Sequence, residues 1–182
     1  MTPDREQAGR FSGYVLRHRP DVLDLQLDEA GWADVDELVE RSRSGPTALT
    51  RALIEELVRT CAKQRFRLSD DGRRVRASQG HSLDVELGLE QATPPATLFH
   101  GTVARFVPSI LAQGLQRGRR HHVHLSGDEE TARAVGARRG APVVLRVDAA
   151  AMAAAGILFH RSDNGVWLTG HVPPEYLSGS DG

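Results

Sequence analysis

Phe11, Tyr14 and Val15 recur at helical spacing behind Thr2 and Pro3, a pair that predicts an N-cap followed by proline at the first helical position. Pro20 stops that helix, so the stretch YVLRHRP (14–20) sets Arg17, His18 and Arg19 in its last turn. Basic residues there complement the helix dipole and its free carbonyls, but they equally build an anion site. Asp34 with Glu37 three residues on predicts a second helical start, with Val35, Leu38 and Val39 as its apolar face. A third helix is predicted over 50–63, turning Leu53, Ile54, Leu57, Val58 and Cys61 inward. The period then changes from helix to strand. RFRLSDDGRRVRA alternates in twos about Asp71 and Gly72, which predicts a hairpin. Helices followed by a two-stranded wing predict a winged-helix lobe.

ELGLEQATPPATL, with Pro94 and Pro95, reads as a connection, and it divides the chain into lobes at 1–92 and 93–182. Beyond it, TLFH, VHLS, PVVLRV and GVWLT are predicted strands, with helices near 104–113 and 128–138. Ser126 and Glu129 fit a capping box for the second of these helices. SDNG at 162–165 predicts a turn, and DAAAMAAAG a short helix. The fold class expected is α+β.

Composition narrows this picture only slightly. A single cysteine among 182 residues excludes an internal disulfide and fits a reducing compartment. No apolar run approaches the ~18 residues of a membrane span, and the first ten residues lack the pattern of a signal peptide. A cytoplasmic location is therefore expected. Net charge is only −1, yet the charges are segregated. DVLDLQLDEAGWADVDELVE is strongly acidic. Residues 59–76 carry seven Lys or Arg against Asp70 and Asp71, and residues 117–124 carry three Arg and three His with no acid. Segregated charge in a neutral chain predicts local anion-binding surfaces.

Period-two alternation puts Arg65 and Arg67 on one face of the hairpin, opposite Phe66 and Leu68. Arg74 and Arg76 likewise oppose Val75 and Ala77. Beside them lies the acid-free stretch QGHS with His81. Four guanidiniums on one face favour phosphate, because the planar fork binds it bidentately. His122 and His124 form a His-x-His pair, but no nearby carboxylate or cysteine completes a metal site, so no metal is expected. LFHGT runs a strand into Gly101 and Thr102, where backbone is expected to approach a ligand. The chain contains no G-x-G-x-x-G, no P-loop and no G-x-S-x-G, which disfavours Rossmann-type NAD sites and standard ATP sites.

In this order, LRHRP, KQRF, RASQGHS, LFHGT, RHHVHLS, RRGAPVVL and NGVWLT resemble the NAD-dependent RNA 2′-phosphotransferases, the Tpt1/KptA family. The resemblance runs from about residue 8 to residue 177. It implies an N-terminal winged-helix lobe and a C-terminal ADP-ribosyltransferase-like lobe that holds NAD as co-substrate. It also implies the reaction: an internal 2′-phosphate of a tRNA-like RNA, such as tRNA splicing leaves, attacks the ribose of NAD and expels nicotinamide. The ribose 2″-hydroxyl then takes over the phosphorus, giving RNA 2′-OH and ADP-ribose 1″,2″-cyclic phosphate. A monomer is expected.

By the same resemblance, Arg17, His18, Arg65 and Arg120 are the catalytic set around the phosphate; counting back from HVHLS favours Arg120 over the adjacent Arg119. His18 is assigned the proton for the departing 2′-oxygen, histidine being the side chain that ordinarily titrates near neutrality. His100, Gly101, Thr102, His124, Ser126, Asn164 and Val166 are implied to line the NAD site. Arg67, Arg74, Arg76 and His81 are expected to bind RNA phosphate. Protein-modifying ADP-ribosyltransferases usually carry a glutamate where this chain reads Val166-Trp167-Leu168. A phosphate nucleophile is already anionic and needs no such base. A winged-helix DNA-binding regulator explains the first lobe but gives LFHGT, HVHLS and NGVWLT no purpose. An ADP-ribosyltransferase acting on nucleic-acid ends predicts a stable ADP-ribosylated product instead of a cyclic phosphate.

Overall fold

Helix α1 (Arg5–Arg17) is the first element of the computed structural model, which describes residues 4–85 and 87–179. The predicted start at Thr2 and Pro3 lies outside the described residues. Ala8, Phe11, Val15 and Leu16 form its buried stripe. Tyr14, expected in that stripe, is instead 44% exposed, on the face it shares with Arg17 and His18 three and four residues on. The N–H of His18 closes the helix on the Tyr14 carbonyl at 3.0 Å, and a 3-10 turn at Pro20–Leu23 follows.

The chain divides into two units, Met1–Gly88 and Leu89–Gly182, each a mixture of helix and sheet as the α+β class requires. In the first, β1 (Ala33–Asp34) leads into α2 (Val35–Ser42), and the Asp34 carboxylate accepts the Glu37 N–H at 2.9 Å as expected. Next comes α3 (Arg51–Thr60), capped by the Thr50 hydroxyl. This helix stops three residues short of its predicted end, because Cys61 turns to extended backbone and Gln64 adopts a left-handed φ of 40°. The hairpin of β2 (Phe66–Leu68) and β3 (Arg74–Ala77) forms about Gly72, whose φ is 68°. The sheet has a third strand that the alternation did not predict: its order is β1-β3-β2, with Ala33 opposite Val75 and Asp34 opposite Arg74. Two residues are too few to show a period. Leu16, Leu38, Leu49, Ile54, Phe66 and Val75 centre the core.

The second unit contains β4 (Thr97–Val103), α4 (Val107–Gln113), β5 (Leu115–Gln116), β6 (Val123–Leu125) and α5 (Glu129–Gly136). It continues through β7 (Pro142–Asp148), α6 (Ala149–Ala154), β8 (His160–Arg161), β9 (Trp167–Thr169), β10 (His171–Val172) and β11 (Leu177–Gly179). Small antiparallel sheets run β11-β7-β4, β6-β9-β8 and β10-β5. A two-way backbone bridge between Phe99 and Ser126, at 2.9 and 2.8 Å, joins β4 to the end of β6. Leu98, Leu125, Val147, Met152, Phe159 and Leu168 fill the core. The cap of α5 falls two residues later than the predicted Ser126–Glu129 box: Asp128 accepts the Thr131 N–H at 2.7 Å and its hydroxyl at 2.9 Å. Ser126 is held instead by its bridge to Phe99. Among the described residues no helix is long and apolar enough to cross a membrane.

Candidate functional site

Arg17, His18 and Arg65 come together in the first unit. Arg17 ends α1, and its guanidinium donates to the Arg65 carbonyl at 3.4 Å while lying 5.9 Å from the centre of the Phe66 ring. A Cβ on Gly13, one turn earlier, would meet both Phe66, at 3.7 Å, and the Arg17 guanidinium, at 3.8 Å, in ordinary contact. Arg65 follows the left-handed Gln64, a conformation that costs a non-glycine residue free energy and marks a spot held by its surroundings. Ser78 does the holding: its hydroxyl donates to the Gln64 carbonyl at 2.7 Å, and its N–H to the Arg65 carbonyl at 2.9 Å. Four residues on, the Ser82 N–H donates to the Arg17 carbonyl at 3.0 Å, and its hydroxyl meets His18 Nδ1 at 2.9 Å. Neither serine carries a sequence signal that singles it out, apart from its place in RASQGHS.

The rest of the hairpin departs from a face of four equivalent cations. Arg67 and Arg76 stand opposite each other across β2 and β3. Trp32 occupies part of that face, with the Arg76 guanidinium 4.6 Å and the Arg74 guanidinium 5.6 Å from its ring centre. Arg74 also pairs with Asp28 at 3.1 Å, and Arg76 donates to the Leu87 carbonyl at 3.2 Å. These contacts position both guanidiniums and share their charge with the protein. His81 is 2% exposed, and its ring lies against Gly31.

The second unit gathers His100, Arg120, His124 and Ser126. A carbonyl can only accept, so His100 Nδ1 carries the proton that bonds the His124 carbonyl at 3.3 Å, which leaves Nε2 as the acceptor. Burial, with the charge of Arg139 adding to it, holds His100 below the usual histidine range despite that bond, so the ring is neutral at pH 7. Arg120 donates to His124 Nδ1 at 2.6 Å, which fixes the neutral His124 ring with its proton on Nε2. Partial removal from water, then Arg139 and Arg138, lower the pKa of Arg120; guanidinium remains charged all the same. Like charges drawn together in this way form a region that favours an anion.

Within the fold, the close neighbour of Gly101 is α5. A Cβ there would stand 1.7 Å from the Ala132 carbonyl oxygen and 2.8 Å from the Gly136 nitrogen. A Cβ on Gly136 would in turn meet the Thr102 carbonyl oxygen at 2.7 Å. The two glycines let α5 cross β4 at backbone contact. Thr102 is 5% exposed, so its side chain is closed off from solvent. Asn164 and Val166 belong to the turn between β8 and β9. The buried Ser162 closes it, donating to Asn164 Oδ1 at 2.7 Å and accepting the Val166 N–H at 3.1 Å. Val166 precedes Trp167, the partner of Leu125, and Ser126 follows Leu125. The turn is thereby set at the same end of the sheet as Ser126.

Residues 3–171 match the family described as RNA 2′-phosphotransferase, Tpt1 / KptA family. The chain is 52% identical over 178 residues to a probable RNA 2′-phosphotransferase of Hahella chejuensis, covering 98% of this chain and 96% of that one. A probable RNA 2′-phosphotransferase of Acaryochloris marina is 48% identical, with 97% and 98% covered. One from Rhodopirellula baltica is 52% identical, with 98% of each chain covered.

Proposed function

We propose the following chemistry for a chain that belongs to the RNA 2′-phosphotransferase, Tpt1/KptA family. It moves an internal RNA 2′-phosphate onto NAD, releasing RNA with a free 2′-hydroxyl, nicotinamide and ADP-ribose 1″,2″-cyclic phosphate. The first unit acts as a winged-helix, RNA-facing lobe and the second as an ADP-ribosyltransferase-like lobe. NAD supplies an activated ribose carbon and the hydroxyl that later accepts the phosphorus.

The observation that carries this reading is the joining of Arg17, His18 and Arg65 through residues 78–82. The segment holds the backbone carbonyls of Arg17 and Arg65 and the imidazole of His18, and two arginines and a histidine anchored so close together suit a phosphate monoester, which brings nearly two negative charges. Arg17 and Arg65 bind its oxygens and stabilise the charge that grows there, an effect worth ~3 kcal/mol per well-placed donor. His18 gives a proton to the departing 2′-oxygen. Arg120 is the fourth member of the set that the family resemblance implies, and its guanidinium is oriented by His124.

The residues of the second unit fit a nucleotide co-substrate. The neutral His100 offers an acceptor at Nε2 and His124 a donor, a pair suited to ribose hydroxyls, while Arg139 adds positive charge near His100 and, with Arg138, near Arg120. The Ser126 hydroxyl and the turn bearing Asn164 and Val166 line the same ligand. Gly101 and Thr102 contribute by shaping the β4–α5 crossing.

Dependence on NAD follows directly. With an RNA oligonucleotide bearing one internal 2′-phosphate, removal of that phosphate should require NAD, and one nicotinamide should appear per phosphate lost. Removal of the phosphate at equal rate without NAD would contradict the reading.

A further inference from the structure

Residues 78–82 do more than fill a loop. At one end Ser78 braces Gln64 and Arg65; at the other Ser82 takes hold of Arg17 and His18; between them the buried His81 fixes the segment to the first unit. Ser82 itself is exposed, so its hydroxyl adds no packing that the core would miss. Its geometry makes it specific. The backbone N–H holds the carbonyl of Arg17 at 3.0 Å, while the side chain meets the ring of the next residue at 2.9 Å.

We propose that Ser82 is a positioning residue for His18: its hydroxyl oxygen accepts a hydrogen bond from Nδ1–H and so commits Nε2 to the transferred phosphate. The consequence for catalysis rests on the function proposed above; the ring orientation does not. In the charged imidazole both nitrogens are donors, so Ser82 Oγ must accept. Nε2 then gives its proton to the RNA 2′-oxygen as the bond from that oxygen to phosphorus breaks. Phosphorus keeps its coordination by bonding the ribose hydroxyl, whose proton passes to solvent, and solvent returns a proton to His18. The neutral ring left after transfer carries its proton on Nδ1, the form Ser82 already accepts from. No rotation of ring or hydroxyl is needed between turnovers, which is the benefit of a second group that fixes a catalytic histidine.

The test uses the full chain in three forms: wild type, Ser82→Ala and Ser82→Thr. Long-range ¹⁵N–¹H NMR of the free protein, at about pH 8 where histidine is ordinarily neutral, reports the His18 tautomer without any turnover. The wild type should hold Nδ1–H, Ser82→Ala should shift toward Nε2–H, and Ser82→Thr should restore the wild-type form. In single turnovers, Ser82→Ala should slow release of RNA 2′-OH from the ADP-ribosylated intermediate roughly three- to tenfold, the scale of one lost hydrogen bond. The preceding step and RNA affinity should be unchanged, and Ser82→Thr should recover the rate. Identical tautomer populations in wild type and Ser82→Ala would overturn the proposal, as would a slowed step that Ser82→Thr fails to recover. Absence of any phosphotransfer in the wild type would instead strike the function proposed for the chain, and the tautomer shift would still judge the Ser82–His18 link.

Discussion

Arg65→Ala is expected to slow the second step of transfer on the order of 10²- to 10³-fold, the loss seen when one preorganised donor to a developing oxyanion is removed. In the proposed reaction negative charge builds on the phosphate oxygens as the 2′-oxygen departs, and Arg65 sits where Ser78 and the Arg17 guanidinium hold its backbone. Charge alone should not replace it. Arg65→Lys retains the cation but loses the planar fork, so it should recover only part of the rate. His18→Ala should act in the same direction by removing the proton source. In both cases the ADP-ribosylated RNA intermediate should accumulate, which denaturing electrophoresis of a labelled oligonucleotide resolves. Arg43, paired with Glu40 at the surface at 2.8 Å, supplies the control: Arg43→Ala should leave both steps intact. Turnover by Arg65→Ala and His18→Ala at the wild-type rate would show that the phosphate is handled elsewhere.

Gly101→Ala should damage the fold before it touches the chemistry. The added methyl would lie 1.7 Å from the Ala132 carbonyl oxygen, inside any contact distance, so α5 and β4 must move apart. Overpacking of this severity costs about 3 kcal/mol or more. Gly72→Ala offers the contrast. Nothing lies within 4 Å of a Cβ there, and only the left-handed φ of 68° opposes it, a cost of about 1–2 kcal/mol. Chemical denaturation of the three proteins should therefore rank wild type, Gly72→Ala and Gly101→Ala in falling stability. An unchanged midpoint for Gly101→Ala would mean that the crossing of strand and helix is looser than described.

These two cases also mark what the sequence reveals and what it conceals. The hairpin was legible because alternation over RFRLSDDGRRVRA has a period, and the start of α2 because Asp34 and Glu37 stand at capping distance. Strand β1 was not, since two residues carry no period. The cap of α5 was misplaced because Ser126 and Glu129 satisfy the same spacing rule as the true cap, and only the bridge from Ser126 to Phe99 decides between them. In the candidate site, arginine and histidine stand out in the sequence by type and motif. Their supports do not: Ser82 lies 64 residues from His18 along the chain, and Trp32 more than 40 from Arg74 and Arg76. Gly101 illustrates a subtler limit. A glycine signals close approach, but whether to a ligand or to a helix is a tertiary fact.

The central claim concerns the fate of one phosphorus atom. An RNA labelled with ³²P at its internal 2′-phosphate, incubated with the protein and NAD, should transfer its label to ADP-ribose 1″,2″-cyclic phosphate while the RNA gains a 2′-hydroxyl. Label released as inorganic phosphate would identify a hydrolase, and label retained on a stable ADP-ribosylated RNA would identify an ADP-ribosyltransferase; either result would contradict the account.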